Sequence, residues 1–210
     1  MRVLALDLSY VMSPSISRYA SFPTGKLVNV EKHWDSVYAA LSSQELGFSL
    51  ERLAELIKIF SKALKNVDRD QVHILQYQSD ILPLLASGDD LIIHNVDHFH
   101  DFNSIDPSMG INPASIDSSW VSELDRLKLV NEYVWWKNRS SQGFDDTSGC
   151  NCSKYETSIS RQQPMKNPDM ILVAKSPHVV PPKCQQLFNI FESMFSAWFD
   201  SDQSFSIAPS

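Results

Sequence analysis

Four short apolar runs punctuate this chain, and between them apolar residues recur at helical spacing. Val3-Leu4-Ala5-Leu6 opens on Asp7 and predicts a buried strand over 2–8. Similar runs predict strands over 72–75, 90–96 and 170–174. Leu50, Leu53, Leu56, Ile57, Phe60 and Leu64 mark one face of a helix, with Ser49 at its cap. Further helices are predicted from Trp34 to Leu41, from Ser79 through Leu85, and along Leu187, Ile190, Phe191, Met194 and Trp198. In the second of these Pro83 is tolerated only near the first turn, and Gly88 ends it. Ser42 and Glu45 have capping-box spacing. Trp120, Leu124, Leu127 and Val130 predict a helix opened by Ser118 or Ser119, and Tyr133 to Trp136 either extend it or form a strand. Residues 9–31, 102–118 and 140–167 read as loops, the last as a mobile, partner-binding insertion, and the final ten as a tail.

Strands alternating with helices imply one domain over 1–210, an α/β three-layer sandwich with a mostly parallel sheet. Ligands of such sheets bind outside the carboxyl ends of the strands. Three predicted strands end in chemistry-bearing residues: Asp7, the segment from His94 to Asp101, and Ser176-Pro177-His178. The fold rule expects them on one edge.

Composition narrows the partners. A length of 210 residues with 43% hydrophobic content supports an ordinary core. A net charge of −7 argues against nucleic acid as the main partner. No apolar run is long enough for a membrane span, and Asp7 interrupts any secretory leader, so a cytoplasmic or virion location is expected. Cys150, Cys152 and Cys184 read as free thiols rather than a disulfide framework; a zinc set is the sharper alternative.

The densest chemistry is His94-Asn95-Val96-Asp97-His98-Phe99-His100-Asp101, three imidazoles and two carboxylates at a strand end. Imidazole and carboxylate are the usual donors for divalent ions. Strand alternation puts 97, 99 and 101 on one side and 98 and 100 on the other. His94, inside the apolar run, is expected to be a satisfied core histidine, and His178 a surface or packing residue. Ser9 and Ser176 lack the G-x-S-x-G elbow of a serine hydrolase. The aromatic Tyr133 to Trp136 cluster reads as core or a subunit contact.

Three segments together resemble the arginase-like hydrolases. Val3-Leu4-Ala5-Leu6-Asp7-Leu8-Ser9-Tyr10 is similar to their LDLDYF strand end. Asn95 to Asp101 is similar to their Asp-x-His-x-Asp segment, in the histidine-rich form of peptide arginases. Pro168 to Pro177 is similar to a late strand of the group. The resemblance implies two manganese ions bridged by a hydroxide that attacks a guanidinium carbon, with Asp7, Ser9, Asp97, Phe99 and Asp101 at the ligand positions. Asp7, Asp97 and Asp101 are sound metal ligands. Ser9 stands where an aspartate is expected and Phe99 where a histidine is expected. Two functions follow. The first is a catalytically degenerate arginase-fold protein without a cofactor, a binding or structural subunit of a larger assembly such as a phage particle, with a protein or peptide partner. The second is a manganese-dependent hydrolase converting peptidyl arginine to ornithine and urea, with His98 or His100 as substitute ligands or proton shuttles.

Overall fold

A computed structural model describes residues 1–12, 29–40, 47–102, 119–139, 141, 150–159 and 162–202. The capping-box turn expected at Ser42 to Glu45 lies outside them. Among these residues six strands form one all-parallel sheet: β1 (Arg2–Asp7), β2 (Val72–Leu75), β3 (Leu91–Asp97), β4 (Val130–Lys137), β5 (Ser153–Thr157) and β6 (Met170–Ala174). Their spatial order is β2-β6-β1-β3-β4-β5. The helices are α1 (Val30–Ala40), α2 (Leu50–Ala63), α3 (Ile81–Leu85), α4 (Trp120–Arg126), α5 (Pro182–Gln185) and α6 (Asn189–Asp202).

The period-2 alternation of each central strand divides the core into two layers. Leu4 and Leu6 of β1, Ile171 and Val173 of β6, and Val134 and Trp136 of β4 face one way. They pack against Trp34 of α1, Leu53, Leu56 and Phe60 of α2, and Phe191 of α6. Val3, Ala5, Leu172, Tyr133 and Trp135 face the other way, against Ile81 and Leu85 of α3 and Trp120, Val121 and Leu124 of α4. The architecture is therefore a three-layer α/β sandwich with both sheet faces covered. Ser49 caps α2 as its position predicts, its side chain accepting the Arg52 N–H at 3.3 Å.

The structure resolves one open choice and corrects one element. Of the two forms left open for Tyr133 to Trp136 the strand is the one adopted, because the preceding helix stops at Arg126. Lys128 takes a positive φ of 59°, and its N–H donates to Asp125 O, which closes the helix before Val130. Residues 153–157, read as part of a loop, form β5 in register with Glu132 to Trp136 of β4. An edge strand whose Tyr155 is exposed has no apolar run to announce it. No helix among the described residues is long and apolar enough to cross a membrane.

Candidate functional site

The carboxyl ends of β1, β2, β3 and β6 meet in a buried acidic cluster. Asp7 is the last residue of β1 and Asp97 the last of β3. Asp101 follows four residues later, with a left-handed φ of 52°. All three are at most 1% exposed. Among the described residues no lysine or arginine bonds to them; the donors are neutral. The Ser9 hydroxyl donates to Asp97 Oδ1, and the Ser9 N–H donates to Asp7 Oδ1 at 2.6 Å. The Ser176 hydroxyl, just past β6, donates to Asp7 Oδ2. Gln78, just past β2, bridges the cluster: its amide nitrogen donates to Asp97 Oδ2 and, at 2.9 Å, to Asp101 Oδ2. Asp101 Oδ2 also accepts from Asn95 Nδ2 and Trp120 Nε1, each at 2.9 Å.

Burial and mutual repulsion set the protonation. Asp7 is held well above the usual carboxylate range, first by burial and then by the charge of Asp97; the Ser176 and Ser9 hydrogen bonds oppose this. Asp101 is raised well above that range by burial and then by Asp97. Asp97 is raised by burial, against the hydrogen bonds it accepts from Asp101, Ser9, the Phe99 N–H and Gln78. The Gln78 amide nitrogen donates to both Asp97 and Asp101, which brings the two carboxyls close enough for the charge of one to raise the other. Asp101 Oδ1 receives no N–H or O–H from the described residues.

The imidazoles go elsewhere. His98 is 2% exposed, but its Nδ1 lies 2.9 Å from Asn138 Nδ2, whose amide also donates to Tyr10 O. Burial, and then the Arg52 charge, lowers the His98 pKa to about 4, so it stands neutral at physiological pH. His100 Nδ1 accepts the Phe102 N–H at 3.0 Å, and its ring lies edge-on to Trp135. His94 Nδ1 accepts the Met165 N–H at 3.0 Å while its ring lies over Trp136, and burial lowers its pKa to about 4. His94 is thus the satisfied core histidine its position implied. His178 is buried beside the rings of Tyr77 and His33, so it packs rather than faces solvent.

Phe99 departs from the alternation expected of it. Asp97 and Asp101 lie on the α4 side of the sheet, whereas Phe99 packs against the core on the α2 side, its ring 4.7 Å from that of His98. Extended pairing ends at Asp97, so side-chain alternation no longer holds beyond it. An aromatic ring gains by entering the apolar layer and would gain nothing among carboxylates.

The sequence therefore marks Asp7, Asp97 and Asp101, and the structure gathers them. It does not gather His98, His100 or Phe99 with them. The donors Gln78 and Trp120 were not singled out. Gln78 had a usable signal, a polar side chain three residues beyond the end of β2, where the fold rule places ligand-facing groups; Trp120 had none. The three cysteines are free, with Cys152 and Cys184 in the cores on opposite faces of the sheet, so they cannot form one zinc set. Burial pushes the Cys152 thiol up to about 12, which leaves it unreactive.

Comparison with protein-family models, curated proteins and solved structures finds no match to this chain. The functional reading consequently rests on the donor set itself. A binuclear manganese centre needs bridging carboxylates together with nitrogen donors. Here three carboxyls stand without an imidazole, and among the described residues no three of His, Cys, Asp and Glu converge as metal ligands. The residues do not fit a two-metal centre.

Proposed function

We propose that this chain is a catalytically degenerate domain of arginase-like descent that acts as a binding or structural subunit of a larger assembly, such as a phage particle, with a protein or peptide partner. One observation carries the reading: the Nδ1 atoms of His94, His98 and His100 are engaged by Met165, Asn138 and Phe102 rather than by the acidic cluster. The two ligand positions taken by Ser9 and Phe99 are thus not made good by their neighbours. Ser9 and Gln78 instead supply neutral hydrogen bonds to the carboxylates, a structural use of the old ligands.

The test is metal content by mass spectrometry together with urea release from arginine-containing peptides. No tightly held manganese and no urea are expected. Two manganese ions per chain would overturn the reading. A second reading, a metal-dependent hydrolase of guanidinium groups working from a single ion, is favoured by one feature, the buried Asp101 Oδ1 that receives no donor among the described residues. Urea released in proportion to one bound manganese per chain would establish it.

A further inference from the structure

The geometry points to a second site, away from the acidic cluster: a pocket for a small organic anion with an apolar body. A cavity of about 570 Å³ opens between α2 and the chain that leads from β5 to β6. That volume lies within the range of small-molecule pockets. Lys58, Lys62, Lys65 and Lys166 line it, four of the 18 basic residues of a chain whose net charge is −7. Lys58, Lys62 and Lys65 recur at i, i+4 and i+7, so they form one stripe along α2 and its extension. Lys166 stands on the opposite wall.

Among the described residues the ion pairs are made by Arg2, Arg69, Arg126 and Lys137, and none of the four cavity lysines takes part. The one acid in the lining, Glu55, accepts the Tyr10 hydroxyl at 2.9 Å. Lys62 donates to the Gln163 amide oxygen at 3.0 Å, which holds its ammonium across the cavity mouth. Ile59, Ile159, Pro164 and Met165 supply the apolar part of the lining, beside the amides of Asn66, Gln163 and Asn167. Met165 is anchored from below, because its N–H is bonded to His94 of β3, so the apolar wall is fixed to the sheet. Like-charged lysines at helical spacing repel each other by a few tenths of a kcal/mol per pair. An anionic head group relieves that repulsion while an apolar body covers the floor. Lysine ammoniums act as point charges without a fixed fork, so carboxylate and phosphate heads are both accommodated.

Displacement of the fluorescent anion 8-anilinonaphthalene-1-sulfonate from the full chain tests this. The competitors are octanoate, octyl phosphate and octyltrimethylammonium, one tail with three heads. Saturable binding is expected, reversed by one or both anions and not by the cation; which anion competes better names the head group. The variant Lys58→Glu/Lys62→Glu should weaken binding about ten-fold, as two reversed charges near an anion require, and raised salt should weaken it as well. The exposed control Lys32→Glu/Lys128→Glu, with the same change in net charge, should leave it unaltered. Equal competition by the cation, undiminished binding to the Lys58→Glu/Lys62→Glu variant, or binding of an acidic peptide with none of the octyl anions would overturn the proposal.

Discussion

Ser9 reaches from the end of β1 to the end of β3 and donates its hydroxyl to Asp97 Oδ1. A neutral donor thus sits where a fourth carboxylate would make the cluster strongly anionic. Ser9→Asp should destabilise the metal-free chain by about 3–5 kcal/mol, the range for an uncompensated buried charge. Manganese should restore much of that loss by binding the folded state. Phe99→His alone should gain no manganese, because position 99 faces the apolar layer. Calorimetric titration of both single variants and the double variant, with thermal melts, checks this; manganese bound by Phe99→His alone would contradict the geometry described above.

Asp101→Asn should stabilise the protein at neutral pH and matter less in acid. The carboxyls of Asp7, Asp97 and Asp101 are all raised in the folded state, so the folded protein holds protons that the unfolded chain releases. Their contribution is complete below the ordinary carboxylate pKa and declines as pH rises through the raised values. An amide at 101 removes one of the repelling charges, can still accept from Trp120 and Asn95, and suits the left-handed backbone that Asp101 adopts. A gain of about 1–3 kcal/mol at pH 8, shrinking at pH 4.5, is expected from urea denaturation.

The histidines work in the opposite direction. His94 and His98 are lowered to about 4, whereas the unfolded chain binds their protons near the ordinary value of about 6.5. Their contribution is complete above pH 6.5 and is lost as pH falls toward 4. Substituting both by Gln should flatten the acid side of the stability curve, measured as midpoint temperature from pH 4 to pH 7. An unchanged acid limb would contradict the burial assigned to these rings.

Lys128→Gly should raise stability by about 1 kcal/mol. Lys128 is exposed and carries a φ of 59° at the end of α4, a conformation that disfavours a Cβ and suits glycine. Equilibrium denaturation reads the change, and a loss of stability would show that the Lys128 side chain makes a contact worth more than the backbone strain.

The legible parts of this chain were those whose burial is written as an unbroken apolar run or a single helical face. β1, β2, β3, β6 and α2 lie where Val3 to Leu6, Val72 to Leu75, Leu91 to Ile93, Met170 to Ala174 and the Leu50 to Leu64 stripe put them. β4 was ambiguous because Tyr133, Val134, Trp135 and Trp136 are buried on both faces, which erases the period that separates strand from helix. β5 was illegible because an exposed edge strand carries no apolar signature. In the site, the carboxylates were legible from their place at strand ends. The direction of Phe99 was not, since it depends on where pairing stops and on an apolar layer formed by residues far away in the chain. Gln78 and Trp120 meet Asp101 only through the fold, from 23 and 19 residues away.

The first strand stands in the middle of the sheet, between β3 and β6, and among the described residues β2 has β6 as its sole sheet neighbour. During synthesis on the ribosome, β2 therefore waits without a partner for almost a hundred residues, until 170–174 emerge. The amino-terminal half cannot complete this hydrogen-bonded ladder by itself, so the sheet closes late, once β6 joins β2 to β1.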